Sequence, residues 1–356
     1  MIIQLADPLF ADRLIASVAG LLAEADAPGA AVALLLDGEP VVEAGVGFRD
    51  LARPVPLPAD ARFYLYSVTK TLIAGALLQH VARGTIALDR PIQDYLPDLS
   101  LPAPVTVRQA LNHTAALPDY GGLPEYHTAV RDHPERPWST GRFLQVAANP
   151  DPKPPNWRYS NVGYLILKLL LEKVAGRPLR EALRAQLFAP LALANSFVAE
   201  SLADAGTLTP GYSDYFAPDG ELQDVSGRYH PGWVAHGVAI STAPEVSRLI
   251  HALLAGDLLP PELRAAMAEP VVLPFDHPIF RQPAYGLGVM IDAGSPYGPL
   301  LGHAGGGPGY ATAALCWPNA AGHAIVAVAL ANRDANDLGL RIAHHLGTAV
   351  VEALEG

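Results

Sequence analysis

Two similar apolar patterns near opposite ends of the chain constrain its fold more than any other feature. Residues 29–36 form a short apolar run, Asp37-Gly38 supplies a turn signal, and Val41 to Phe48 returns as a second strand. Near the C-terminus Tyr310 to Trp317 reads as a strand, Pro318 to Gly322 as a turn and His323 to Ala331 as a strand. Residues 8–26 carry Leu9, Leu14, Val18, Leu21 and Leu22 at helical spacing, and Asn336 to Leu354 reads as a closing helix. Between these ends stand helices Val68–Ala82, Val107–Leu111, Val162–Ala175, Leu179–Leu187 and Pro244–Leu254, joined by long Pro-rich loops such as 150–155. The predicted class is therefore α+β. Residues 1–66 and 281–356 supply one antiparallel sheet flanked by terminal helices, and residues 67–280 a mostly helical insertion. A cleft between the two parts is the expected place for an active site.

Composition narrows the function classes. The 356 residues are 50% hydrophobic and 17% charged, which suits a sizeable core and argues against disorder. With 24 basic residues against 35 acidic ones the formal charge is −11, so nucleic acid is not an expected partner. The single cysteine, Cys316, excludes an internal disulfide. No apolar stretch reaches the length of a membrane span, and the start shows no secretory pattern; the expectation is a cytoplasmic protein that engages neither membrane nor nucleic acid.

Three motifs carry candidate chemistry. From Phe63 to Ala82 the chain is almost wholly apolar, and Lys70 is its only charged residue. A helix starting at Ser67 places Lys70 one turn on, on the same face. A buried ammonium needs a purpose, and here the amine can take the Ser67 proton and return it later. The bland alternative is an N-cap serine followed by a snorkelling lysine. Tyr159-Ser160-Asn161 comes second, at a loop-to-helix junction where a phenol can share proton transfer and Asn161 can hold a substrate carbonyl; the plain alternative is an N-cap Asn behind a packing Tyr. The third motif, Gly302-His303-Ala304-Gly305-Gly306-Gly307-Pro308-Gly309, has glycines at a strand edge that let a ligand approach the backbone. It lacks the G-x-G-x-x-G spacing of a dinucleotide site, and neither G-x-S-x-G nor H-E-x-x-H occurs, so no metal or cofactor is expected. Cys316, between Leu315 and Trp317, reads as core.

Taken together, Ser67-x-x-Lys70, Tyr159-x-Asn161 and His303-x-Gly305 resemble the serine β-lactamase and penicillin-binding-protein superfamily. The branch most like this chain contains class C β-lactamases, D-aminopeptidases, D,D-peptidases and related esterases. Thr106 to Tyr120, Val238 to Ile250 and Tyr285-Gly286-Leu287-Gly288 agree with it, and the likeness runs from about residue 10 to 354. The resemblance implies the β-lactamase/D,D-peptidase-like fold. It makes Ser67 the nucleophile, Lys70 its base and Tyr159 the proton relay. Asn161 would hold Lys70 and the substrate amide, and His303 would face Tyr159 and Ser67 from an edge strand. The amides of Ser67 and Gly306, beside Gly305, would form the oxyanion hole. Where class C enzymes read Lys-Thr-Gly, this chain has His303-Ala304-Gly305, a poorer site for a carboxylate. The implied activity is a serine hydrolase acting through an acyl-enzyme on small amides, D-amino-acid peptides or esters. A β-lactamase or D-Ala-D-Ala carboxypeptidase, an acyltransferase and a silent scaffold are the alternatives. Tyr120, Trp233, His236 and Tyr310 are expected to shape the pocket, with their ranking and the oligomeric state left open.

Overall fold

The computed structural model describes residues 8–101, 103–147, 156–217 and 219–356; the Pro-rich stretch 150–155 lies outside them. Helix α1 spans Pro8–Glu24, strand β1 Gly29–Leu36 and β2 Glu39–Gly47, followed by the short β3, Phe63–Tyr64. Helices α2 (Val68–Ala82), α3 (Val107–Leu111) and α4 (Asn161–Ala175) come next, then β4 (Phe197–Ala199), β5 (Val238–Ser241) and α5 (Ala243–Leu254). Strands β6 (Val271–Val272), β7 (Pro283–Tyr285), β8 (Met290–Asp292), β9 (Leu300–Gly307), β10 (Tyr310–Ala320) and β11 (His323–Ala331) lead to the closing helix α6, Leu338–Glu355. Eight of these strands form an antiparallel sheet in the order β2-β1-β11-β10-β9-β8-β7-β6. The expected sheet from both chain ends is thus present: β1 pairs directly with β11.

Strand alternation splits the core in two. On β1, Ala30, Val32 and Leu34 face Leu14, Val18 and Leu22 of α1 and Leu346 and Val350 of α6. Ala31, Ala33 and Leu35 face the other way, into a larger core with Leu72, Ile73 and Leu77 of α2 and Leu249 and Leu253 of α5. This explains the uninterrupted apolar run: both faces of the strand are covered. Cys316 is buried in the second core, as its setting implied.

Turn chemistry sets the hairpins. Asp37 and Gly38 have φ of 52° and 85°, and Ala321 and Gly322 have 50° and 84°, the two-residue geometry that suits strand twist. The second turn is therefore tighter than the predicted 318–322, and β10 runs on past Pro318 through a register shift between Trp317 and Ala320. Helix α1 stops at Glu24 rather than 26, because Asp26 turns left-handed at φ 46°. The predicted helix 179–187 is α-helical only over Leu179–Leu183 and continues as a π-helical turn, Arg184–Phe188.

Two features of the sheets place the three motifs. Strands β3, β5 and β4 form a small sheet that anchors the chain just before α2: Leu65 N–H donates to Ala239 O at 2.8 Å, and Ala239 N–H to Thr69 Oγ1 at 3.0 Å. Strand β8 covers β9 only over Leu300–Gly302, so His303–Gly307 pairs on its β10 side and leaves its other edge open. Among the described residues no helix is long and apolar enough to cross a membrane.

Candidate active site

Helix α2 is buried along nearly its whole length, which is why its sequence is apolar all round. Ser67 precedes it, and its hydroxyl makes no capping bond. Instead Ser67 Oγ accepts from Lys70 Nζ at 2.9 Å, which removes the plain N-cap reading. Nor does Lys70 snorkel: it is 0% exposed, and its amine also meets Asn161 Oδ1 at 2.7 Å. The backbone enters the helix through Tyr66, held at φ 45° in the left-handed region that costs a non-glycine residue on the order of 1–2 kcal/mol. That strain is sustained by packing: Tyr66 is buried among Tyr64, Tyr229 and Tyr310, with its hydroxyl on Pro308 O at 2.6 Å. Ser67 N–H has no acceptor among the described residues.

The second motif divides its labour. Ser160, not Asn161, is the N-cap of α4; its hydroxyl accepts from Gly163 N–H and donates to Pro118 O. Asn161 is thereby free to reach Lys70. Its amide is oriented by Asp119, whose carboxylate accepts from Asn161 N–H at 2.8 Å and from Asn161 Nδ2 at 3.3 Å, so Oδ1 faces the amine. The Tyr159 ring lies 4.8 Å from Lys70 Nζ, and its phenol is near enough to Ser67 for the serine to oppose the rise in its pKa. His113, itself left-handed at φ 64°, accepts from Ser160 N–H through Nδ1 at 3.1 Å and packs its ring 4.5 Å from that of Tyr159.

These surroundings set the protonation states. Burial pushes Lys70 down to about 7, opposed by the Asp119 charge. Burial pushes the Tyr159 phenol up, against the effect of Ser67, and raises Asp119 against its hydrogen bonds and the Lys70 charge. At neutral pH the tyrosine is a phenol, while the lysine exchanges readily between amine and ammonium.

The third motif brings backbone rather than side chains to Ser67. A Cβ built on Gly305 falls 2.3 Å from Leu65 O and 2.9 Å from Ser67 N, so only glycine lets β9 press this closely. Gly306 faces open space, with nothing within 4 Å of such a Cβ. His303 is 1% exposed and turned inward. Its Nε2 meets Tyr285 Oη at 2.8 Å, its Nδ1 meets Ala304 O at 2.5 Å, and its ring centroid is 6.3 Å from that of Tyr159. Burial and the Lys70 charge push it to about 3, so this histidine is neutral. Ser67, Lys70, Tyr159 and Asn161 therefore meet directly, Gly305 and Gly306 border them, and His303 supports them from behind.

These groups open onto a cavity of about 530 Å³ lined by Ser67, Asn161 and Gly305–Gly307. Tyr120, Trp233, His236 and Tyr310 all line it, as the sequence suggested. Asp119, His113 and Tyr285 are the participants that motif reading passes over. Each lies inside a segment with a recognisable pattern, but nothing local marks a loop residue as the partner of a distant one.

The Beta-lactamase family's profile matches residues 14–349, and the chain belongs to that family. Penicillin-binding protein 4* of Bacillus subtilis (strain 168) is 25% identical over 287 residues, 75% of this chain and 60% of that protein. A D-aminopeptidase of Gluconobacter oxydans (strain 621H) is 29% identical over 209 residues, 57% of this chain and 38% of that one. The chain thus spans at most 60% of the length of these relatives. The crystal structure of a D-stereospecific amidohydrolase from Streptomyces sp. matches 93% of this chain and 98% of its own, with a TM-score of 0.76 and 27% identity. An octameric penicillin-binding protein homologue from Pyrococcus abyssi shares the fold, with a TM-score of 0.81 at 23% identity over 96% of this chain and 77% of its own.

Proposed function

We propose that this protein is a serine hydrolase that forms an acyl-enzyme at Ser67 and acts on small amides, D-amino-acid peptides or esters. The observation that carries the reading is the 2.9 Å contact between Ser67 Oγ and the fully buried Lys70 amine, at a helix N-terminus on the cavity wall. In the proposed cycle neutral Lys70 takes the Ser67 proton as Oγ bonds to the substrate carbonyl carbon, and the carbonyl π pair moves onto oxygen. That oxyanion faces the N–H groups of Ser67 and Gly306 and the positive end of α2; each such donor is worth about 2.7–4 kcal/mol in comparable sites. Collapse reforms the carbonyl and breaks the C–N or C–O bond. The proton passes from Lys70 through the Tyr159 hydroxyl to the leaving atom. Water, giving a proton to the same pair, then attacks the acyl carbon, the acid departs, and Ser67 recovers its hydrogen.

The phenol's raised pKa favours Lys70 over tyrosinate as the base. The names of the Gluconobacter relative and the Streptomyces structure support D-amino-acid amides and peptides as the first substrates to try. His303, neutral and turned inward, gives no carboxylate anchor, which favours these over penicillins. The division into a sheet part (1–66 with 281–356) and a helical part (67–280), with the site in the cleft between them, belongs to this proposal, as does action in the cytoplasm. A panel of D- and L-aminoacyl anilides, p-nitrophenyl esters and a chromogenic cephalosporin tests it against Ser67→Ala. Turnover of amides or esters that the variant abolishes supports the reading, whereas turnover unaffected by the variant, or none at all, contradicts it.

A further inference from the structure

Lys70 has a further neighbour on the cavity wall that takes no part in the proposed cycle. His236 stands in the loop before β5, is 1% exposed, and lines the cavity beside Ser67 and Asn161. Its Nε2 lies 3.4 Å from Lys70 Nζ, while its Nδ1 is buried and has no partner among the described residues. A nitrogen that faces an amine donor carries the lone pair, so the ring proton belongs on Nδ1. The titratable groups that act electrostatically on the ring are Lys70 from α2, Lys168 from α4, His303 from β9 and His113 from the loop after α3, with the Tyr164 ring 6.3 Å away. Burial, with the Lys70 charge, holds it well below the usual histidine range, so it is a neutral acceptor.

The consequence lies in the hydrogen-bond count around Lys70. An ammonium has three protons to donate; the neutral amine has two, and one lone pair. Three groups face Nζ: Ser67 Oγ, Asn161 Oδ1 and His236 Nε2. Asn161 presents its carbonyl oxygen, because its amide nitrogen is turned to Asp119, and His236 presents a lone pair; both can only accept. Ser67 Oγ alone can either accept or donate. When Lys70 gives up a proton, its two remaining N–H bonds can therefore go to Asn161 and His236, which leaves the lone pair facing the Ser67 hydroxyl. Without His236 one N–H turns to Ser67 Oγ, the arrangement that cannot take its proton. The 3.4 Å separation is long for such a bond, as active-site hydrogen bonds often are before substrate tightens them.

We propose that His236 is a positioning residue that holds one N–H of neutral Lys70 and so aims the amine's lone pair at Ser67. This rests on the hydrolase reading. The test follows the rate of fluorophosphonate labelling of Ser67 from pH 5 to 9 in wild type, His236→Leu, His236→Gln and His236→Asn, with folding checked by thermal melts. Glutamine reaches the position of Nε2 with an oxygen acceptor; leucine has none, and asparagine is too short. The plateau rate is expected to fall by about tenfold or more in the Leu and Asn variants, and to recover to within about threefold of wild type in Gln. The midpoint of the rise should move to lower pH in His236→Leu, since an ammonium proton loses its acceptor and the charged form is disfavoured. A purely structural role would lower the labelled fraction without moving that midpoint. A folded Leu or Asn variant with wild-type plateau and midpoint overturns the inference. If the Leu variant fails to fold, the comparison of Asn with Gln decides. Labelling that survives Ser67→Ala removes the hydrolase reading and this one with it, whereas Ser67-dependent labelling with indifferent His236 variants removes only this one.

Discussion

Replacing Gly305 by alanine tests how closely β9 must approach the nucleophile. The added methyl would lie 2.3 Å from Leu65 O, 2.7 Å from Thr312 Oγ1 and 2.9 Å from Ser67 N. Two of these are backbone atoms that cannot swing aside: Leu65 is tied to Ala239, and Leu65 O also accepts from Thr312 Oγ1 at 3.1 Å. To reach an ordinary contact the strand must withdraw by roughly 1 Å. Such overpacking costs typically about 1–3 kcal/mol, a fall of a few degrees in Tm. The kinetic effect is larger, because a shift of about 1 Å between reacting groups can cost about 10²-fold. Gly227→Ala, outside the cavity, is the control, since a methyl there meets nothing within 4 Å. The second-order rate of Ser67 labelling by a fluorophosphonate is expected to fall about 10²-fold in Gly305→Ala and to stay within about threefold in Gly227→Ala. Equal rates for Gly305→Ala and wild type, or an equal loss in both variants, would refute the reasoning.

The protonation states and hydrogen bonds of the site lead to three more expectations. With Lys70 at about 7 and acting as neutral amine, labelling of Ser67 climbs as pH rises through 7 and levels above it; Lys70→Arg, which cannot deprotonate, loses more than about 10²-fold, and a flat profile from pH 5 to 9 contradicts the assignment. Buried His113, His236 and His303 have depressed pKa values, so below about 6.5 the unfolded chain binds the extra protons. Stability is then lost as pH falls, by up to about 1.4 kcal/mol per pH unit for each, and a Tm unchanged between pH 7 and 5 counts against it. Removing the carboxylate in Asp119→Ala frees the Asn161 amide to turn, with labelling expected about tenfold slower at little change in Tm; wild-type kinetics would show that Asn161 needs no such support.

Sequence reasoning works where one short segment carries its own cause. Ser67 and Lys70 lie one helical turn apart, Asp37-Gly38 marks the first hairpin, and the apolar runs of β1 and β11 read as strands. It stops where structure is made by distant partners. Strands β6, β7 and β8 are two or three residues long, too short for a period to register. His113 and Asp119 act through a loop that contains left-handed His113 and Ala116, a conformation their side chains do not announce. The Ser160-Asn161 step shows the same limit at smaller scale: either residue can cap a helix, and only the contact of Asn161 with Lys70, 91 positions away, decides which one does.

The central claim is that Ser67 is an activated nucleophile, and intact-protein mass spectrometry after fluorophosphonate treatment tests it most directly. Wild type should gain one adduct, and Ser67→Ala, folded by its thermal melt, none. Folded wild type that stays unmodified, or a variant that is modified equally, would contradict the account.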